Sequence, residues 1–233
     1  MSQFPPDFDA KTVELCRMVA PYTMTSKYAV YALRLAVQYI VNSRIPGDIV
    51  ECGVWKGGSM MAVARTLLES SSTDRTLHLF DTFARMSEPT AVDRTVTGKT
   101  AAEILAGLAP EPGKSWECCA MDEARANLLS TGYPAAKMAF VKGKVEDTIP
   151  ASAPRQIALL RLDTDWFEST YHELIHLYPR LSPGGILIVD DYGYWQGARK
   201  AVDRYIEEQQ LKLLLTRVDD SARMSVKITA ATR

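Results

Sequence analysis

The stretch GDIVECGVWKGGSM, residues 47–60, decides the fold of this chain. Its apolar run at 48–52 predicts a short strand, and residues 60–68 predict a helix directly after the glycine-rich turn from Gly53 to Ser59. Glycines in such a turn let the backbone approach a ligand closely, and a helix N-terminus favours negative charge. The stretch therefore predicts a strand–turn–helix unit that faces a ligand; a tight turn without a ligand is the alternative.

Further strands and helices alternate along the rest of the chain. Apolar runs predict four more strands, at 76–80, 138–142, 156–162 and 185–189. The residue pattern predicts helices at 26–41 and around 100–108, 121–130, 168–178 and 198–209. Apolar strands that alternate with helices are typical of a mostly parallel sheet covered by helices on both faces. We therefore predict the α/β class.

The length of the chain fits one such domain, so we expect residues 1–233 to fold as a single unit. Residues 1–45 would form an N-terminal helical cap. Residues 82–118 are less regular and contain several prolines and glycines, which predicts an insertion or a lid over the site.

Composition and charge exclude several classes of function. The chain has 27 basic and 28 acidic residues, a formal net charge of -1 and no block of like charge, so nothing favours a nucleic-acid or membrane partner. No apolar run approaches the roughly 20 residues that cross a bilayer. The four cysteines show no zinc-binding spacing, and the N-terminus lacks the features of a signal peptide. These features predict a soluble cytoplasmic protein with reduced thiols.

Acidic residues stand at the carboxyl ends of the predicted strands, where parallel sheets gather their functional groups. Glu51 lies at the end of the first strand and Asp81 at the end of the second. The turn between them has the spacing G-x-x-x-G-G rather than the G-x-G-x-x-G of dinucleotide folds, which suits a ligand without a pyrophosphate. S-Adenosylmethionine is such a ligand. Glu51 could meet its ammonium group, directly or through water, and Asp81 could accept its ribose hydroxyls.

A second group of acids follows the fourth and fifth predicted strands. Asp163 and Asp165 follow one strand, and Asp190 and Asp191 follow the other. Carboxylates this dense raise one another's pKa unless a cation compensates them, and oxygen ligands suit Mg²⁺ or Ca²⁺ rather than zinc. A metal there could lower the pKa of a substrate hydroxyl while a carboxylate outside its coordination sphere takes the proton. The alternative is that some of these acids, Asp165 among them, cap helices.

Aromatic residues follow both pairs of acids. Trp166 follows the first pair, and Tyr192, Tyr194 and Trp195 follow the second. Their rings could line a sugar pocket, because the faces of sugars pack on aromatic rings. Packing in the core is the alternative for each ring.

Five runs of sequence carry a family resemblance. They are PYTMTS at 21–26, GDIVECGVWKGGSM at 47–60, LFDTF at 79–83, RLDTDWFEST at 161–170 and LYPRLSPGGILIVDDYGYWQGARKAVDRY at 177–205. With these runs the chain resembles the macrocin O-methyltransferase (TylF-like) family, which includes the novobiocin and mycinamicin sugar O-methyltransferases. The resemblance implies a Rossmann-like class I methyltransferase that uses S-adenosylmethionine and Mg²⁺. It also implies a hydroxyl acceptor on a deoxysugar of a glycosylated natural product, and it is compatible with a homo-oligomer.

The resemblance also implies roles for individual residues. Asp163, Asp190 and Asp191 would hold the metal, and Asp165 would be the general base. The residues that would hold the cofactor are Met24, Thr25, Glu51, Gly53, Ser59, Asp81, Gly143 and Val145. The first two of these would lie near the methionine end of the cofactor, and the last two near its adenine.

Other functions fit parts of the pattern. A phenolic or catechol O-methyltransferase would use the same metal chemistry, and the sequence does not separate a phenol from a sugar hydroxyl. A nicotinamide-dependent reductase would need a tighter glycine motif than this turn has. It would also need a Y-x-x-x-K relay, which the sequence does not show at the required place. A non-catalytic cofactor-binding protein gives no reason for the carboxylates at the strand ends. One departure from the family, Ala84-Arg85 in place of Glu-Gly after LFDTF, lies near the substrate entrance and concerns the acceptor.

Overall fold

The computed structural model describes residues 4–107 and 119–228. Its α-helices are α1 (Ala10–Val19), α2 (Lys27–Asn42), α3 (Gly58–Glu69), α4 (Ala101–Gly107), α5 (Met121–Leu129), α6 (Val145–Thr148), α7 (Phe167–Leu177) and α8 (Gln196–Glu208). Its strands are β1 (Asp48–Cys52), β2 (Leu77–Asp81), β3 (Met138–Lys142), β4 (Ile157–Leu162), β5 (Leu181–Val189), β6 (Thr216–Arg217) and β7 (Arg223–Val226).

The strands form one seven-stranded sheet in the order β3-β2-β1-β4-β5-β7-β6. The neighbours among β1 to β5 pair in parallel, whereas β7 pairs antiparallel with both β5 and β6. The chain order reverses between β1 and β4, so the connections on either side of this point lead away from each other. In open parallel sheets such a switch point leaves a crevice at the carboxyl edge, where ligands bind.

Helices cover both faces of the sheet. The helices α1, α2, α3 and α5 pack on one face, around a core that includes Leu33 and Leu79. The helices α7 and α8 pack on the other face, around a core that includes Leu160 and Leu174. The predicted α/β class, with a mostly parallel sheet between two layers of helices, is confirmed.

The five strands predicted from the sequence are all present, and only β5 begins clearly earlier than predicted, at Leu181. The predicted helices are present as well. Helix α1 lies within residues 1–45, for which a helical cap is predicted, and the structure adds α6 and the β6–β7 hairpin, which the sequence patterns did not predict. Of these, the hairpin matters most for the topology because it adds two antiparallel strands to the sheet beside β5.

The turn after β1 adopts a backbone conformation that suits glycine. Gly53 has φ +83°, and a Cβ built on it would lie 1.8 Å from the carbonyl oxygen of Asp163. The backbone N–H of Asp163 donates to the carbonyl of Cys52 at 2.9 Å. The ends of β1 and β4 are therefore in direct backbone contact, which places Asp163 next to Cys52 and Gly53, where the turn begins.

The described part of the predicted lid, residues 82–107, is anchored by Asp93. This side chain is fully buried. Its Oδ1 accepts the backbone N–H of Phe167 at 2.9 Å, at the start of α7, and its Oδ2 accepts the N–H and the hydroxyl of Thr90 at 2.7 and 2.8 Å. The anchor fixes this segment to α7. The rest of the predicted lid, 108–118, lies outside the described residues, and a lid function stays a prediction.

Two further findings concern membranes and thiols. In the ranges 4–107 and 119–228, no helix is both long and apolar enough to cross a membrane. Cys16, Cys52 and Cys119 are buried free thiols, and Cys118 lies outside the described residues.

Candidate active site

A cavity of about 510 Å³ lies at the carboxyl edge of the sheet. It is lined by the segment before α2, the turn after β1, the ends of β2, β4 and β5, and the start of α6. Every site residue predicted from the sequence except Glu51 lines this cavity: Met24, Thr25, Gly53, Ser59, Asp81, Gly143, Val145, Asp163, Asp165, Asp190 and Asp191. The structure thus brings the predicted cofactor, metal and base residues together.

A buried guanidinium lies among the acids at the base of the cavity. Arg161, in β4, is 2% exposed, and its Nη1 donates to Oε1 of Glu51 at 2.9 Å and to Oδ2 of Asp163 at 2.7 Å. Its Nη2 donates to the hydroxyl of Thr25 at 2.9 Å and lies 3.0 Å from Oδ1 of Asp190. The sequence patterns did not predict this role. An arginine inside the otherwise apolar run IALLRL is the signal that could have found it.

Glu51 is buried and does not line the cavity. Its side chain is 1% exposed, and its Oε2 has no hydrogen-bond partner among the described residues. Burial raises the pKa of Glu51 to about 8, although the charge of Arg161 acts to lower it. The structure therefore shows Glu51 as a partner of Arg161 rather than as part of the wall, and its contact with a cofactor ammonium group stays a prediction.

The loop at residues 163–166, called here the Asp165 loop, holds its central acid at two points. Asp165 has φ +67°, which aspartate tolerates better than most residues, and its N–H donates to Oδ2 of Asp191 at 3.0 Å. Its Oδ1 accepts the indole N–H of Trp195 at 2.7 Å. The side chain that accepts the backbone N–H of Phe167, at the start of α7, is that of Asp93. Asp165 therefore does not act as the cap of this helix, which was the alternative to a functional role.

The acids around this loop outnumber the cations. Burial, together with the charge of Asp163, raises the pKa of Asp165 to about 8. Burial likewise raises the pKa of Asp190 to about 7 and that of Asp191 well above its ordinary value. Arg161 alone cannot compensate these carboxylates, so the cluster favours either bound protons or an additional cation.

Three of the carboxylates could hold a divalent cation. Asp163, Asp190 and Asp191 each place one oxygen within 4.8 Å of the others. Oδ1 of Asp190 is buried, and although it lies 3.0 Å from Nη2 of Arg161 it accepts no hydrogen bond from the residues that the structure describes. An oxygen-only donor set with a buried carboxylate oxygen that lacks a hydrogen bond fits Mg²⁺ or Ca²⁺. The residues therefore fit the metal that the sequence predicts.

Asp81 joins the end of β2 to the turn after β1. Its Oδ2 accepts the backbone N–H groups of Val54 and Trp55 at 2.6 and 2.9 Å, and its Oδ1 accepts that of Phe83 at 2.7 Å. The carboxylate therefore shapes the turn, which the sequence patterns did not predict. It also lines the cavity, and its contact with ribose hydroxyls stays a prediction.

Aromatic and apolar side chains line the part of the cavity beyond the acids. Trp166, Tyr194 and Trp195 lie there, together with Met86 and Ile104 from the segment after β2. The rings of Trp166 and Trp195 meet edge to face, with 5.0 Å between their centroids. These side chains form a wall that could receive the apolar faces of an acceptor.

Comparisons of sequence agree with the resemblance noted above. The family model described as Macrocin-O-methyltransferase (TylF) matches residues 5–225. The 8-demethyl-8-(2,3-dimethoxy-alpha-L-rhamnosyl)-tetracenomycin-C 4'-O-methyltransferase of Streptomyces olivaceus is 32% identical over 86% of this chain and 73% of its own. The demethyldecarbamoylnovobiocin O-methyltransferase of Streptomyces niveus is 30% identical over 79% and 67%. The mycinamicin III 3''-O-methyltransferase of Micromonospora griseorubida is 27% identical over 85% and 75%.

Comparison with a solved structure supports the same assignment. The O-methyltransferase NovP is 28% identical and superimposes with a TM-score of 0.76 over 89% of this chain and 83% of its own. The predicted fold, a Rossmann-like class I methyltransferase, is therefore confirmed, and so is the family resemblance. The chain belongs to the macrocin-O-methyltransferase (TylF) family and is an O-methyltransferase.

Proposed function

We propose that this protein uses S-adenosylmethionine and Mg²⁺ to methylate a hydroxyl of a small molecule, on a deoxysugar of a glycosylated natural product. The observation that carries the proposal is the position of Asp165, which lines the same cavity as the three carboxylates that could hold a metal. The acceptor class follows from the relatives, whose names specify a rhamnosyl tetracenomycin, demethyldecarbamoylnovobiocin and mycinamicin III.

The residues that would hold the cofactor are Met24, Thr25, Glu51, Gly53, Ser59, Asp81, Gly143 and Val145. When bound, S-adenosylmethionine supplies a methyl group attached to a cationic sulfur. This sulfur leaves as a neutral thioether when the methyl group is transferred. Because Gly53 has no Cβ, the turn can contact the backbone at the end of β4. The hydroxyls of Thr25 and Ser59 lie 3.2 Å apart, and the hydroxyl of Thr25 also accepts a hydrogen bond from Arg161. These contacts support a cofactor site that is formed before the ligand binds.

Asp163, Asp190 and Asp191 would hold the metal. When bound, Mg²⁺ supplies a positive charge that lowers the pKa of an acceptor hydroxyl. Arg161 forms ion pairs with the first two carboxylates, and the N–H of Asp165 donates to the third. These contacts orient the three side chains, because each has one oxygen already engaged or in an ion pair.

Asp165 would act as the general base. It would take the proton of the acceptor hydroxyl at its carboxylate as the acceptor oxygen forms its bond to the methyl carbon. Its backbone and one of its carboxylate oxygens are both held, so the base needs little reorganisation before it acts. The wall of Trp166, Tyr194 and Trp195 would position the sugar beside it.

An assay of methyl transfer tests this function. We expect 4-nitrophenyl α-L-rhamnoside to be methylated when S-adenosylmethionine and Mg²⁺ are supplied, and we expect EDTA to lower the rate by at least about 100-fold, reversibly. Catechol, assayed in parallel, distinguishes the phenolic alternative. Faster methylation of catechol would contradict the proposed acceptor class, and a rate indifferent to EDTA would contradict the proposed metal.

The stability of the metal-free protein should depend on pH. The folded-state pKa values of Glu51 and Asp165 are raised to about 8, and that of Asp190 to about 7, so the folded protein holds protons that the unfolded chain has lost. This contribution is complete below the unfolded pKa values and is lost as the pH rises through about 7 to 8.

We therefore expect the melting temperature without metal to fall by several degrees between about pH 6 and about pH 9, since about 1 kcal/mol moves it by about 2–4 °C in a domain of this size. Saturating Mg²⁺ should reduce this fall, because the ion replaces the protons. Differential scanning calorimetry with and without Mg²⁺ measures both. Asp191→Asn is the matched control and should show a weaker response to Mg²⁺. An equal fall with and without Mg²⁺ would contradict the metal site.

A further inference from the structure

The indole of Trp195 is the side chain that holds the carboxylate of Asp165. Its Nε1–H donates to Oδ1 of Asp165 at 2.7 Å, although the two residues are 30 positions apart in the chain. The ring is 2% exposed and lies between Trp166 and Tyr194, with 5.0 Å between the centroids of each pair. It therefore cannot turn away without disturbing the wall of the cavity.

The backbone around Trp195 is fixed as well. Its N–H donates to the carbonyl of Asp191 at 2.9 Å, and its backbone forms an isolated β-bridge with Thr95. The next residue, Gln196, donates its N–H to the carbonyl of Arg94 at 2.7 Å and its side-chain amide to the carbonyl of Thr95 at 2.8 Å. The donor of this hydrogen bond is thus held by both the loop after β5 and the segment after β2.

We propose that Trp195 is a positioning residue for the reaction: its indole N–H sets the orientation of the Asp165 carboxylate for proton removal from the acceptor. The inference rests on the proposed role of Asp165 as the base. An indole N–H donates but does not accept, so it can hold Oδ1 without competing for the proton that the base takes. A base held at one oxygen presents the other in a fixed direction, which is the alignment that catalysis by a positioned group requires.

The test compares Trp195→Phe with Tyr192→Phe. Tyr192, on the same loop, is a ring that the sequence analysis allowed in a sugar pocket, but it donates to Oδ1 of Asp203 at 2.7 Å and neither of these two residues lines the cavity. Each variant therefore removes one aromatic donor from one aspartate. With 4-nitrophenyl α-L-rhamnoside as acceptor, we expect Trp195→Phe to lower kcat by about ten- to a hundred-fold, as expected for one hydrogen bond to a charged group. We expect Tyr192→Phe to keep it within about twofold.

A double-mutant cycle with Asp165→Asn separates this inference from the proposed function. If Trp195 acts through Asp165, Trp195→Phe should lower kcat in the wild-type background and by less than about twofold in the Asp165→Asn background. Full activity of Asp165→Asn would contradict the base itself. An impaired Asp165→Asn combined with an unimpaired Trp195→Phe, or an equal loss in both backgrounds, would overturn the inference about Trp195 alone.

Two further measurements cover a variant that folds poorly and a probe that reacts slowly. Benzothienylalanine at position 195 keeps the shape of the ring but replaces the N–H by sulfur, so it should reproduce the loss of kcat with an unchanged affinity for S-adenosylhomocysteine. The ¹H–¹⁵N resonance of the Trp195 indole should shift in Asp165→Asn and stay in place in Tyr192→Phe. An indole resonance that ignores Asp165→Asn, or normal kcat with the isostere, would overturn the proposal.

Discussion

Asp165→Asn should lower kcat by about 10²–10⁴-fold, the usual contribution of a general base, and leave the affinity for S-adenosylhomocysteine within about twofold. Asparagine has the shape of aspartate and keeps a carbonyl oxygen that can accept the indole N–H of Trp195, so the local structure should persist. It cannot take a proton at neutral pH. Steady-state kinetics with radiolabelled methyl donor measures the first quantity, and isothermal titration calorimetry measures the second.

Two other aspartates serve as controls for this variant. Asp203→Asn changes an exposed aspartate outside the cavity and should leave kcat unchanged. Asp163→Asn should weaken the response to Mg²⁺ instead, because Asp163 belongs to the group that could hold the metal. Loss of S-adenosylhomocysteine binding in Asp165→Asn would show that this carboxylate serves the cofactor site rather than proton transfer.

Arg161→Met should cause the largest loss of stability among single substitutions in the site, about 3–5 kcal/mol in the free energy of unfolding. The guanidinium is buried and contacts three carboxylates, those of Glu51, Asp163 and Asp190. Methionine fills part of the space but leaves these groups without a cation. Urea denaturation followed by circular dichroism measures the change. Arg161→Lys keeps the charge but not the planar fork, so it should fall between wild type and Arg161→Met.

A second buried arginine and a compensating substitution make this prediction specific. Arg34→Met removes one ion pair, with Glu69 at 2.8 Å, away from the cavity, and should cost less. Glu51→Gln added to Arg161→Met should recover part of the lost stability, because it removes one of the uncompensated carboxylates. Arg161→Met with the stability of the wild type would mean that the acids do not depend on this guanidinium.

The sequence predicts the part of the fold that local patterns determine. The strands β1 to β5 are apolar runs bounded by polar or turn-forming residues, and their alternation with helices implies parallel pairing. The β6–β7 hairpin is different, since Thr216–Arg217 has only two residues, both exposed, and Arg223–Val226 has only four. These residues form strands because β5 offers an edge to pair with, and runs of two and four residues are too short for an alternating pattern to be diagnostic.

The candidate site shows the same division. Acids at strand ends could be located from the sequence because the carboxyl edge of a parallel sheet collects the ends of all its strands. Their hydrogen-bond partners could not be located, because Arg161 reaches Glu51 and Thr25 from positions 110 and 136 residues away. For the same reason, no sequence pattern indicates that Glu51 is buried against Arg161 and does not line the cavity, and its contact with a cofactor stays a prediction. The pattern and spacing of residues indicate where a strand ends, whereas packing determines which groups a side chain contacts.

The buried carboxylate of Asp93 sets practical boundaries for building chimeras with relatives that choose other acceptors. It fits against α8 only because position 197 is glycine, where a Cβ would lie 2.0 Å from its Oδ1. An exchange of residues 84–88, which include the wall residue Met86, leaves this contact intact. An exchange that separates Thr90 from Asp93 removes the two hydrogen bonds that hold the carboxylate that caps the helix after the Asp165 loop. Grafts that retain this pair can alter selectivity while preserving the chemistry.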